Sequence, residues 1–125
     1  MSLNLKKMGL VALLSLLPLF AHAHTGLKES TPAADATVNA APETIELVFT
    51  ASVRLVRLQV KKDGQELVTD FRPGSAAAAS YSIKAEGMQA GKYTVDWAVI
   101  GADGHTVANA FSFVVDPTAA AGSAP

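Results

Sequence analysis

The chain contains no cysteine among its 125 residues. Disulfides cannot staple its fold, and thiolate metal ligands and cysteine nucleophiles are excluded with them. Methionine is nearly as scarce. Met1 and Met8 fall within the first ten residues, and Met88 alone lies beyond them. Soft thioether ligation therefore has almost nothing to draw on. Ten Lys and Arg against eleven Asp and Glu leave no basic surplus. With no basic patch to meet phosphates, nucleic-acid binding is excluded. One long apolar run exists, Met8 to Phe20, and its length of about 13 residues falls short of the roughly 20 that span a bilayer as a helix.

That run has the flanks of a secretory leader. Lys6 and Lys7 precede it and Ala21-His22-Ala23 closes it in an A-x-A pattern, so cleavage is expected after Ala23. Leu19 and Phe20 make cleavage after Ala21 a poor alternative. Export removes residues 1–23 and leaves 102 of the 125, the size of one compact domain. The leader takes two basic residues and no acid, so 8 basic side chains then face 11 acidic ones, a net charge of −3. The expected product is an exported domain with no stable membrane insertion, stabilised by an ordinary sheet core.

The mature chain reads as β throughout. Ile45, Leu47 and Phe49 alternate with Glu46, Val48 and Thr50, the period-2 sign of a strand with one buried face. Val53 to Lys62 is a second β-rich run, and its alternation slips near Leu55-Val56, which predicts a bulge. Lys62-Asp63-Gly64-Gln65 predicts a hairpin turn into a strand Glu66–Thr69. Phe71 to Ala79 reads as loop and Tyr81-Ser82-Ile83 as a short strand. Met88 to Tyr93 has the form of a tyrosine corner, with Trp97 as a core residue of the strand that follows. A turn at Gly101–Gly104 reverses the chain into Val107–Val115. About seven strands in roughly a hundred residues predict an immunoglobulin-like Greek-key β-sandwich. The tail 117–125 is Ala, Gly, Ser, Pro and Thr and reads as disordered.

The candidate site follows from the cleavage. A chain beginning at His24 carries a free α-amine and an imidazole on one residue, and the two chelate a metal in a six-membered ring through the amine and Nδ1. The amine has an ordinary pKa of about 7.7–8.0 and yields its proton to a Lewis acid more readily than a lysine does. Asp103-Gly104-His105 supplies a carboxylate and a second imidazole beside the last turn. Three nitrogens and one oxygen in a plane suit Cu(II), and zinc prefers a tetrahedron. Taken alone, Asp-Gly-His is also an ordinary turn with glycine at positive φ. Met88 reads as packing, and Arg54, Arg57, Lys61 and Lys62 read as a solvated face. No serine pairs with a histidine and an acid in a hydrolase pattern.

These residues together resemble the CopC-type periplasmic copper-resistance proteins. The resemblance is carried by His24 at the expected mature terminus, Ser30-Thr31-Pro32-Ala33, and Ile45-Glu46-Leu47-Val48-Phe49-Thr50. Gly91-Lys92-Tyr93-Thr94-Val95-Asp96-Trp97, Asp103-Gly104-His105 and Phe111-Ser112-Phe113 complete it, over essentially residues 24–116. It implies a Greek-key β-barrel or sandwich holding one Cu(II) per chain through His24, Asp103 and His105. It also implies a carrier or sequestering role in the periplasm, with an inner-membrane copper importer as a partner and a monomeric chain. Family members with a second site hold Cu(I) in a methionine-rich loop. Here Phe71–Ser80 has neither methionine nor histidine, so that site is expected to be absent. Where some members place an acid after the Phe-Ser/Thr pair, this chain has Ala51.

Two rivals stand beside this expectation. A copper mono-oxygenase would also begin with histidine and brace copper with a second imidazole. Asp103 argues against it, because a carboxylate in the equatorial plane takes the position needed for oxygen and favours Cu(II) over Cu(I). A metal-free structural sandwich is the other rival, since fold does not dictate function. The expectation is a binding protein and not an enzyme.

Overall fold

The structure is a computed structural model that describes residues 26–74 and 76–119. The expected leader, its cleavage point and His24 lie outside the described residues. So does the end of the tail from residue 120. Among the described residues every regular element is a strand: β1 (Leu27–Thr31), β2 (Thr37–Val38), β3 (Ile45–Lys62), β4 (Gln65–Glu66), β5 (Ala78–Ile83), β6 (Gly91–Ile100) and β7 (Thr106–Val115). No helix among them is long and apolar enough to cross a membrane.

The long strand β3 organises the fold by serving two sheets. Its first half pairs antiparallel with β1 on one side and β5 on the other. Its second half pairs with β6 and β4, and β6 continues to β7 and β2. The sheet thus curls over itself into the expected all-β sandwich. The two runs read as separate strands, Ile45–Thr50 and Val53–Lys62, are one element. Thr50, Ala51 and Ser52 are all exposed where β3 passes between its partners, so the alternation is lost there although the strand is not.

The predicted bulge is present. β3 and β6 pair as Leu55↔Val99 and then Arg57↔Ala98, leaving Val56 over. One extra residue reverses which side chains face inward. Before it Ile45, Leu47, Phe49, Val53 and Leu55 are buried, and after it the buried residues are Leu58 and Val60. Without the bulge one half of β3 would turn its apolar side chains to water.

These side chains meet Tyr93, Val95, Trp97 and Val99 of β6 and Phe111, Phe113 and Val115 of β7 in one core. Phe49 lies edge-on to Trp97, with centroids 5.2 Å apart, and Tyr93 stacks on Phe113 at 5.4 Å. The tyrosine corner forms as expected. The Tyr93 hydroxyl accepts from the Gln89 N–H and donates to the Gln89 carbonyl, both at 2.6 Å. Trp97 is buried, and Met88 packs against the core edge.

Asp63 and Gly64 both have positive φ, 51° and 80°, and form the expected two-residue hairpin. The strand after it is shorter than the expected Glu66–Thr69. Only Gln65–Glu66 pairs with β3, and Thr69 instead bridges Ala85. The alanine run read as loop to Ala79 enters β5 at Ala78, opposite Val53. A methyl side chain has no turn chemistry of its own and follows whichever neighbour offers a ladder. Tyr81 ties that junction, donating its hydroxyl to the Val53 carbonyl at 2.6 Å and accepting from the Leu55 N–H at 3.3 Å.

Candidate metal site

The hairpin joining β6 to β7 builds the site. Ile100 and Thr106 form the last strand pair, and the Gly101 N–H donates to the His105 carbonyl at 3.0 Å beyond it. The Gly104 N–H donates to the Gly101 carbonyl at 2.9 Å, with Gly104 at φ 84°. An L side chain is strained at that φ, which explains the glycine between the two polar residues.

Asp103 and His105 are brought together at this tip. One carboxylate oxygen of Asp103 accepts from the His105 backbone N–H at 3.0 Å. The other lies 2.9 Å from His105 Nδ1. The hydrogen bond from the ring holds the Asp103 carboxyl below its ordinary range, and the same bond holds the His105 imidazole above its own. Both side chains face water, at 70% and 84% exposure. The ordinary-turn reading of Asp-Gly-His holds, and the turn is what presents the pair to solvent.

At 2.9 Å Nδ1 and Oδ2 share a hydrogen bond, so the ring proton has to leave before Nδ1 can serve an ion. Among the described residues no group of three or more His, Cys, Asp or Glu side chains converges on a metal position.

The start of β1 lies on the same side of the fold as the beginning of β7. Gly26 and Leu27 form one wall of a groove of about 500 Å3 whose other wall is Val107 and Asn109–Phe111, with Trp97 at its base. The start of β1 therefore faces β7 two residues beyond His105. Gly26 is also bound to Thr50: its N–H donates to Thr50 Oγ1 at 3.1 Å, and its carbonyl accepts from the Thr50 N–H at 2.9 Å. Thr50 was not singled out from the sequence, where threonine in a strand reads only as a β former.

Fold and site together define an all-β sandwich with a solvent-facing carboxylate–imidazole pair on one end loop. The family model described as the CopC domain matches residues 27–116, and the chain belongs to that family. It is 32% identical over 111 residues to copper resistance protein C of Escherichia coli, covering 76% of this chain and 83% of the relative. It is 33% identical over 102 residues to protein YobA of Escherichia coli strain K12, covering 77% and 80%. Among solved structures, CopC from Methylosinus trichosporium OB3b superposes with a TM-score of 0.64 at 25% identity, covering 78% of this chain and 98% of that one. PcoC, a methionine-rich copper resistance protein from Escherichia coli, superposes at 0.62 with 30% identity, covering 75% and 100%.

Proposed function

We propose that this chain is exported to the periplasm, cleaved after Ala23, and binds one Cu(II) as a carrier or sequestering protein. Copper is its cargo, held by the α-amine and imidazole of His24 with Asp103 and His105. The observation that carries this reading is the solvent-exposed, hydrogen-bonded Asp103–His105 pair at the hairpin tip. The start of β1 supports it further. Gly26 and Val107 border the same groove, and His24 and His105 each lie two residues from one of them, a reach of at most about 7 Å. The names of the relatives, copper resistance protein C and a methionine-rich copper resistance protein, agree with it.

The donor set chooses the oxidation state. Nitrogen and carboxylate donors favour Cu(II), and the loop Phe71–Ser80 has no sulfur with which to hold Cu(I). A carboxylate beside the imidazole fills an equatorial position, which suits holding and delivery better than oxygen chemistry. An inner-membrane importer is the acceptor this role implies. Titrating Cu(II) into the mature domain should give a saturable d–d band at one equivalent per chain, with no turnover of substrate. His105→Ala should abolish saturation at that equivalence point. A wild-type titration without saturation, or a variant titration identical to it, would sink the reading.

Affinity should also depend on pH in a defined direction. Asp103 raises the His105 pKa through the ring hydrogen bond, so the proton competes with copper to a higher pH than at an ordinary histidine. Copper affinity should then fall as pH drops through that raised value, with the protons of the His24 amine and ring adding to the competition. The Asp103 carboxyl, shifted down, stays charged throughout that window. In copper-free protein, Asp103→Asn should move the His105 ring titration to lower pH in a proton NMR series. An unchanged midpoint would show that the pair does not form in solution.

A further inference from the structure

The first half of β7 has a strand on one side only among the described residues. On the other side β2 covers just its C-terminal half. Thr37 and Val38 pair with Val114 and Val115, the Asp35 N–H donates to the Ser112 carbonyl, and the Val114 N–H donates to the Ala36 carbonyl. The backbone groups of Ser112 and Val114 therefore point away from β6. β7 pairs with β6 in unbroken register from Thr106 to Val115, so the strand period carries that direction back to Thr106, Ala108 and Ala110. Among the described residues no strand pairs with those three. Ala108 and Ala110 are exposed, whereas Ser112 and Val114 are half-buried where β2 lies alongside.

Open edges are usually guarded by charge, proline or a bulge. Thr106–Val115 has no charged residue and no proline, and its ladder to β6 has no bulge. One weak guard is present: the Asn109 side-chain carbonyl accepts from the Ala110 N–H at 2.8 Å. The groove lined by Leu27, Trp97, Val107 and Phe111 runs along this same edge. A strand added to the edge would extend the sheet and lay alternate side chains over that groove.

We propose that this edge pairs with the same edge of a second copy, antiparallel about a two-fold axis at Ala108. An uncharged edge gives a foreign strand of either sign nothing to select it by. An identical strand matches it in length, register and side-chain size. Thr106 then faces the second copy's Ala110, Ala108 faces its own counterpart, and each such pair exchanges two backbone bonds. Residues directly opposite share a face, so Val107 and Asn109 of each copy project over the groove of the other. β2 closes the row from Ser112 onward, which confines the ladder to Thr106–Ala110. So short a ladder is far smaller than a standard interface of roughly 20–30 residues a side, and dissociation on the order of 100 µM is expected. This weak dimer departs from the monomer that the resemblance implies.

The test uses the mature domain with a chelator and no copper, so it stands apart from the metal reading. Sedimentation equilibrium between about 10 µM and 1 mM should show a reversible monomer–dimer mass. Ala108→Lys sets two like charges face to face at the axis and should weaken association about tenfold or more. Ser80→Lys adds the same charge to the exposed face of β5 and should stay within about twofold of wild type. Ala108→Pro removes an N–H that β6 does not use, so it should abolish the dimer and leave the far-UV spectrum unchanged. The Ala108 amide should exchange several-fold slower at the highest concentration than at the lowest, while β6 amides do not change. A wild-type chain that stays monomeric throughout would overturn the proposal. So would a dimer that Ala108→Lys weakens no more than Ser80→Lys does. An Ala108 amide protected equally at every concentration would mean that a segment of the same chain covers the edge, and would reject the second copy.

Discussion

Acetylating the α-amine of a mature chain that begins at His24 should lower its Cu(II) affinity by about 10²- to 10⁴-fold, the usual worth of a second tethered contact. The argument begins with the number of donors on the page. Asp103 and His105 form a pair, and no third His, Cys, Asp or Glu converges on a metal position with them among the described residues. A two-donor site open to water competes poorly with hydration. The amine and imidazole of His24 add two donors on one residue, and the acetyl group removes the amine while leaving the ring. The amide that results is neither basic nor a good neutral ligand, so the six-membered chelate cannot close. The fold should be untouched, because the first strand begins at Leu27, three residues further on. A near-UV spectrum matching wild type, beside a collapsed affinity by chelator competition, is the expected result. An acetylated chain that binds as tightly as the free-amine chain would remove His24 from the site.

The parts of the fold that could be read from the sequence are those where burial leaves a period. Ile45, Leu47 and Phe49 announce β3, and Phe111, Phe113 and Val115 announce β7, because each alternation is a buried face. The bulge at Val56 was legible for the same reason: the alternation slips by one residue and the pairing shifts there. Where no face is buried, the signal disappears. Thr50–Ser52 is exposed on every residue, so a continuous strand looked like two. Alanines at 78 and 79 carry no preference strong enough to distinguish a loop from the edge of β5. The two-residue strand Thr37–Val38 pairs parallel with Val114–Val115 far along the chain, a contact no local pattern encodes.

The site divides along a similar line. Asp103 and His105 were legible because their chemistry is distinctive and their spacing is that of a turn. Their direct contact, and the opposed shifts it imposes on the two groups, needed the hairpin geometry. The proximity of the start of β1 to β7 is a consequence of the curl of the whole sheet, visible only as the groove between Gly26 and Val107. Thr50 shows the limit most clearly. Its bond to Gly26 joins a hydroxyl to an amide 24 positions away, and nothing in its neighbours distinguishes that threonine from any other in a strand.

Phe113→Ala should destabilise the domain by about 3–5 kcal/mol, the range for deleting a fully buried phenylalanine. Phe113 is completely buried, pairs across the ladder with Tyr93 and stacks on its ring. Tyr93 in turn anchors the corner through the two Gln89 bonds, so the cavity would open beside the residue that fixes the entry to β6. Domains of this size have total stabilities of about 5–15 kcal/mol, and each kcal/mol is worth roughly 4–8 °C in Tm. A drop of at least about 12 °C in calorimetry is therefore expected. Copper affinity should behave differently. His105 lies eight residues from Phe113 along the strand, about 26 Å at 3.3 Å per residue, and its contacts are confined to the hairpin tip. Under conditions where the variant is folded, its Cu(II) affinity should stay within about threefold of wild type, since well-separated sites add independently. Binding should also raise its Tm in proportion to the copper added, because a ligand of the native state stabilises it by mass action. A Phe113→Ala domain that keeps its Tm would show that the stack is not part of the core as described. One that is folded but loses copper affinity would show that the far end of the sandwich helps to shape the site.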